Sequence, residues 1–145
     1  MKILLVDDED FIRKGMCYTI PWEDYDLEVS EASNGAEALD IALRTHPDIV
    51  LTDISMPVMD GFELTRRLNQ ALPDTKVLIL TAYDTLDNLK EAIDVQVSGF
   101  LVKNANSQEI LDTVLKLKGE LEEDRIRQKK MNQVQEIFNE NQMLI

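Results

Sequence analysis

Five short apolar runs, each followed by a stretch of helical periodicity, constrain this chain more than any other feature. They are Ile3-Leu4-Leu5-Val6, Leu27 to Ala32, Ile49-Val50-Leu51-Thr52, Val77-Leu78-Ile79-Leu80 and Phe100-Leu101-Val102. Several are apolar almost throughout, as strands must be when helices cover both faces of their sheet. Between them apolar residues recur at helical spacing: Phe11/Ile12/Gly15/Met16, Leu39/Ala42/Leu43, Leu64/Leu68/Leu72, Leu86/Leu89/Ile93/Val97 and Ile110/Leu111/Val114/Leu115. Three helix starts carry a short polar residue followed three later by Glu, namely Asn34 with Glu37, Asp60 with Glu63 and Asn106 with Glu109. Gly35 and Gly61 follow two of these caps and ease the turn into the helix. The pattern predicts an α/β fold, a doubly wound five-stranded parallel sheet with right-handed crossovers.

The charge balance narrows the partners. Asp and Glu number 28 against 15 Lys and Arg, a net charge of −13. Such a surface repels phosphate backbones, which argues against direct nucleic-acid binding, while clustered carboxylates attract a hard cation. The single cysteine, Cys17, cannot form an internal disulfide and reads as helix packing in a reducing compartment. The first apolar run meets Asp7 and Asp8 too soon for a signal peptide. With no run of about 18 apolar residues either, the expectation is a cytoplasmic chain with no membrane contact.

The composition changes near the end. Residues 1–118 form the expected domain, and residues 119–145 a helical extension or linker. Lys118 to Lys130 is charged with few apolar positions, whereas Val134, Ile137, Asn141 and Leu144 recur at 3-4-3 spacing, a short stripe suited to self-association. The apolar ending Met143-Leu144-Ile145 reads as a cut.

In open parallel sheets ligands bind beyond the carboxyl ends of the strands. There the first strand delivers Asp7-Asp8-Glu9-Asp10, the third Asp53, the fourth Thr81 and the fifth Lys103. Carboxylates gathered on one edge repel unless a cation lies among them, and an all-oxygen ligand set suits Mg²⁺. A carboxylate beside such an ion can attack phosphorus to give an acyl phosphate, with a hydroxyl and an ammonium holding the phosphoryl oxygens. Each residue has a plainer reading: Glu9 or Asp10 as a helix cap, Asp53 as a loop cap, Thr81 as structural, Lys103 as solvated. Their convergence on one edge is what makes a site.

Leu5-Val6-Asp7-Asp8-Glu9, the block from Pro47 to Gly61 (Pro-Asp-Ile-Val-Leu-Thr-Asp-Ile-Ser-Met-Pro-Val-Met-Asp-Gly), Leu80-Thr81-Ala82 and Gly99-Phe100-Leu101-Val102-Lys103 together resemble the receiver domain of two-component response regulators. The likeness covers residues 1 to about 120 and implies a flavodoxin-like (βα)₅ fold. It implies that Asp53 is the phospho-acceptor, and that Mg²⁺ is bound by Asp8, Asp53 and the backbone carbonyl of Ser55, with Asp7 acting through a water. Thr81 and Lys103 would hold the phosphoryl group, and Thr81 and Phe100 would form the switch. The implied partners are a sensor histidine kinase, a second copy in a homodimer, and DNA only through a C-terminal domain absent from this chain. Such a receiver is no conventional enzyme, catalysing only its own phosphotransfer and slow aspartyl-phosphate hydrolysis. Ile20 to Asp26 and Thr81-Ala82-Tyr83-Asp84 look most like receivers fused to AraC-type DNA-binding domains, with transcription regulation as output.

Two positions depart from the family pattern: Asn104 follows Lys103 where Pro is usual, and Phe100 stands where Tyr is common. Rival readings are a haloacid-dehalogenase-like phosphatase, with Asp8-Glu9-Asp10 as its Asp-x-Asp, and a receiver-like adaptor that is never phosphorylated. Phe11 falls where that phosphatase family wants a hydroxyl or small branched residue, and a full acid-Thr-Lys set argues against the adaptor. A flavodoxin would need a Gly- and hydroxyl-rich loop after the first strand, where acids stand instead. His46 beside Pro47 reads as a helix C-cap, and Met56 and Met59 as loop packing.

Overall fold

The computed structural model describes residues 1–143. Leu144, the last member of the predicted stripe, and Ile145 lie outside the described residues. In chain order the elements are β1 (Lys2–Val6), α1 (Asp10–Thr19), a 3₁₀ turn (Trp22–Tyr25), β2 (Glu28–Ala32), α2 (Gly35–Thr45), β3 (Ile49–Thr52), α3 (Gly61–Ala71), β4 (Lys76–Thr81), α4 (Leu86–Asp94), β5 (Gly99–Val102) and α5 (Ser107–Met143). The strands form one parallel sheet in the order β2-β1-β3-β4-β5. β1 is therefore the strand at which the winding reverses, and the crevice of such a sheet opens at the carboxyl ends of β1 and β3.

Alternation along the inner strands sorts the core onto two faces. Leu4, Val6, Val50, Val77 and Ile79 pack with residues of α2, α3 and α4, among them Ala38, Ala42, Leu64, Leu68 and Ala92. Ile3, Leu5, Ile49, Leu51, Leu78 and Leu80 pack instead with Met16 of α1 and Ile110, Leu111, Val114 and Leu117 of α5. Trp22 joins this second cluster; it is 2% exposed, and its indole N–H donates to the Met16 carbonyl at 3.1 Å.

The three expected caps form. Asn34, Asp60 and Asn106 accept from the backbone N–H of Glu37, Glu63 and Glu109 at 2.8, 2.8 and 2.9 Å. A fourth, Thr85, accepts from Asn88 at the start of α4. His46 ends α2 in a left-handed conformation, its N–H donating to the Ala42 carbonyl at 2.8 Å. Met56 and Met59 are buried in the loop, and Cys17 packs half-buried against the second cluster. Among the described residues no peptide bond is cis, the Lys103–Asn104 bond included.

Helix α4 turns differently from its apolar spacing, and α1 departs from its own at Phe11. On α4 the stripe Leu86, Leu89 and Ile93 points to solvent, at 66, 38 and 76% exposure, while Ala92 and the adjoining Val95 face the core. Small Ala92 permits a close approach, and the Asn69 amide donating to the Val95 carbonyl at 2.7 Å ties the helix end to α3. On α1 Met16 is buried and Ile12 packs beside it in the second cluster as the spacing predicts, but Phe11 is 91% exposed and Arg13 is unexpectedly buried.

α5 runs unbroken through Gly119. Leu121 is buried in the second cluster and Arg125 pairs with Asp48 at the foot of β3, so contacts with the folded body continue past Lys118. Beyond Arg125 the helix stands free, with Ile126, Met131, Val134, Ile137 and Phe138 all exposed. No described helix is long and apolar enough to cross a membrane.

Candidate functional site

The sheet register assembles the site. Val6 lies opposite Thr52, and the Asp53 N–H donates to the Val6 carbonyl at 3.0 Å, which sets Asp7 and Asp53 side by side. On the other flank Thr81 faces Val102, and the Lys103 N–H donates to the Thr81 carbonyl at 2.7 Å. Gly61 brings the start of α3 against the back of Asp53: a Cβ there would lie 2.2 Å from the Asp53 carbonyl oxygen. Any side chain at this position forces the loop and α3 apart.

Lys103 occupies the centre. Its Nζ lies 3.0 Å from Asp7 Oδ2, 3.1 Å from Asp53 Oδ2 and 3.2 Å from Glu9 Oε1. Burial works against its charge, but the Asp7 and Asp53 carboxylates outweigh that and hold the ammonium above the usual lysine value. The remaining oxygens of the two buried acids have their own donors, Asp7 Oδ1 from the Glu9 N–H at 2.9 Å and Asp53 Oδ1 from the Ile54 N–H at 2.8 Å. Desolvation nevertheless raises the Asp7 carboxyl above its ordinary value, against the pull of the Glu9 N–H and Lys103. Asp8 is exposed and has no side-chain partner among the described residues.

Asp7, Asp8, Glu9 and Asp53 each bring a carboxylate oxygen within 4.8 Å of the others. Four such charges exceed what one ammonium balances, and hard oxygen donors of this kind fit a small divalent cation. Ser55 is exposed in the loop two residues beyond Asp53. Thr81 is fully buried at the end of β4, its hydroxyl oxygen accepting the Tyr83 N–H at 3.1 Å. Phe100 sits on the edge strand opposite Ile79, half-buried against the first cluster. The structure thus gathers Asp7, Asp8, Asp53 and Lys103 directly, with Thr81 at the neighbouring strand end.

The sequence leaves Glu9 open between a helix cap and the strand-end acids, and gives Arg13 no role. Glu9 does not cap α1 with its side chain but turns to Lys103. Arg13 is buried beneath the loop, donating from Nη1 to the Asp7 carbonyl at 2.7 Å, from Nη2 to Asp10 at 2.7 Å and from Nε to Glu31 at 3.1 Å. Burial opposes the Arg13 charge, but Asp10 and Glu31 outweigh it and raise its pKa. The i, i+3 spacing of Asp10 and Arg13 was visible in the sequence; the Glu31 partner on β2 was not. Because Asp10 serves Arg13, the Asp8/Asp10 pair that a dehalogenase-like phosphatase needs is divided.

Known proteins resemble this chain in sequence and in fold. The transcriptional regulatory protein YesN of Bacillus subtilis is 35% identical over 130 residues, which are 89% of this chain and 35% of YesN. The solved receiver (REC) domain of AraT, a response regulator from Geobacillus stearothermophilus, is 38% identical with a TM-score of 0.79, over 86% of this chain and 97% of that one. The structure of a two-component transcriptional regulator AraC from Clostridium phytofermentans is 28% identical with a TM-score of 0.77, over 88% and 98% of the two chains. The chain spans about a third to a half of the length of the first curated relatives it matches. Residues 3–115 match the response regulator receiver domain, and the chain belongs to that family.

Proposed function

We propose that this receiver accepts a phosphoryl group from the phosphohistidine of a sensor kinase onto Asp53 and later loses it to water. The observation that carries this reading is the Lys103 ammonium shared between buried Asp7 and Asp53. In the forward step an Asp53 carboxylate oxygen attacks phosphorus, a P–O bond forms, and the P–N bond to the imidazole breaks. The leaving imidazole keeps the electron pair. Lys103 stays charged and can shift its donors from the carboxylates to the incoming phosphoryl oxygens. Thr81 offers a hydroxyl on the same side, and the Ile54 N–H holds the Asp53 carboxylate in place.

The clustered carboxylates fit Mg²⁺, which Asp8, Asp53 and the Ser55 carbonyl would hold, with Asp7 acting through a water. When bound, the ion neutralises charge between Asp53 and the phosphoryl group. In this reading Thr81 and Phe100 carry the change toward α4 and β5, whose exposed Leu86, Leu89 and Ile93 form the readout face. The phosphorylated unit reaches past residue 118 to Arg125, and the remainder of α5 is the link to an output domain. The output is transcription, with DNA bound by that further domain and not by the acidic receiver; the longer YesN and the AraC regulator support it. We place the protein in the cytoplasm, with homodimerisation as one route of output.

Intact mass after incubation with acetyl phosphate and Mg²⁺ tests the reading. The wild type should gain one phosphoryl group and Asp53→Asn none; equal gain by both would overturn it.

A further inference from the structure

We propose that Glu9 is a positioning residue that restrains Lys103 and so slows phosphorylation, an inference that rests on Asp53 being the acceptor. Glu9 stands at the N-cap position of α1 with extended backbone (φ −87°, ψ 102°), the place from which a short polar side chain would normally reach back to the helix amides. Its side chain makes no such bond. It reaches across the sheet edge to Lys103, which lies 94 residues away in the chain. The helix therefore forgoes a cap, and the carboxylate becomes the third claimant on one ammonium.

The three claimants are unequal. Asp7 and Asp53 are buried, with side chains 2 and 6% exposed, and each has a backbone N–H on its other oxygen. The Glu9 side chain is 59% exposed, so water replaces Lys103 there at little cost. Glu9 is thus the partner Lys103 leaves most readily, yet it draws the ammonium toward the rim while Asp53 is unmodified. Each donor phosphate must win Lys103 from Glu9 before the ammonium can serve the transition state. Removing that hold leaves Lys103 free to follow the phosphoryl oxygens.

The test is the rate of phosphorylation by acetyl phosphate at saturating Mg²⁺, read by intact mass on the whole chain. Glu9→Gln and Glu9→Asp should both react about two- to fivefold faster than wild type, the range expected of an exposed ion pair. The aspartate variant keeps the charge but withdraws the oxygen from Lys103, so it separates a hold on Lys103 from bulk repulsion of the donor. In a Lys103→Met background the Glu9→Gln acceleration should vanish, as a double-mutant cycle requires. Acceleration that persists without Lys103, or a Glu9→Asp variant that matches wild type, would overturn the proposal. So would a raised Mg²⁺ requirement with an unchanged saturating rate, which would assign Glu9 to the cation. Failure of wild type to take any label would contradict the Asp53 reading itself and the role of Glu9 with it.

Discussion

Arg13 donates from Nη1 to the backbone carbonyl of Asp7 at 2.7 Å, so a buried cation clamps the peptide that joins Asp7 to Asp8. The same guanidinium is neutralised by Asp10 and Glu31. Arg13→Ala leaves the carbonyl and the partly buried Glu31 without their donor. It should cost roughly 2 kcal/mol of stability, read from urea denaturation. Arg13→Lys keeps the charge but not the fork, and should recover only part of that loss. Variants as stable as wild type would show that the clamp does not hold the loop.

Val58 is the strained point of the loop after Asp53. It has φ 71°, and the Met59 N–H closes a tight turn onto the Pro57 carbonyl at 2.8 Å. A β-branched residue in this region is rare because its side chain crowds the backbone. Val58 is fully exposed, so its replacement loses no packing. Val58→Gly or Val58→Asn should raise stability by about 1 kcal/mol, seen as a higher urea midpoint with unchanged slope. A fall in the midpoint would contradict the strain.

Asp7 carries a stability cost whose pH dependence has a definite sign. Its carboxyl titrates above the unfolded value because burial disfavours the anion. Between those two values the folded state holds the proton and the unfolded state does not, so stability falls as pH rises through the folded pKa. In metal-free buffer Asp7→Asn should therefore be more stable than wild type by roughly 1 kcal/mol at neutral pH. The gap should close as the pH drops below the ordinary carboxylate value. A gap that is constant with pH would show that Asp7 ionisation is not its source.

The last helix should behave as two parts. Leu121 is buried and Arg125 reaches Asp48, whose carboxyl is held below its usual value: burial works against it, but the Lys2 N–H and Arg125 prevail. A chain stopped after Lys118 should lose about 2 kcal/mol relative to one stopped after Lys130, mainly through Leu121. Stability due to ionised Asp48 is present at neutral pH and lost as pH falls through its lowered pKa. Past Arg125 a free polar helix is marginal in water, so amide protection should fade there unless copies associate. Equal stability of the two truncated chains would contradict this division.

The strands were legible because three of the five are covered on both faces, which leaves their interiors almost wholly apolar. The caps were legible because Asn34, Asp60 and Asn106 act on donors three residues away, within reach of local reading. The orientation of α4 was not, since apolar spacing records which residues share a stripe but not which way it faces; Ala92 and Val95 decided that by fit. Asp7, Asp53 and Lys103 were readable as strand-end residues once the sheet was inferred. The roles of Glu9 and Arg13 were not readable because their partners, Lys103 and Glu31, lie on or just after other strands, and only the folded register brings them into reach.

The most direct test of the account is where the acyl phosphate forms. After incubation with acetyl phosphate and Mg²⁺, borohydride reduction converts an aspartyl phosphate to homoserine, which tandem mass spectrometry locates in the sequence. Homoserine should appear at position 53 alone, and not at all when Mg²⁺ is chelated or in Asp8→Asn. Homoserine at position 7 or 8, or the same yield at position 53 with and without chelator, would contradict it.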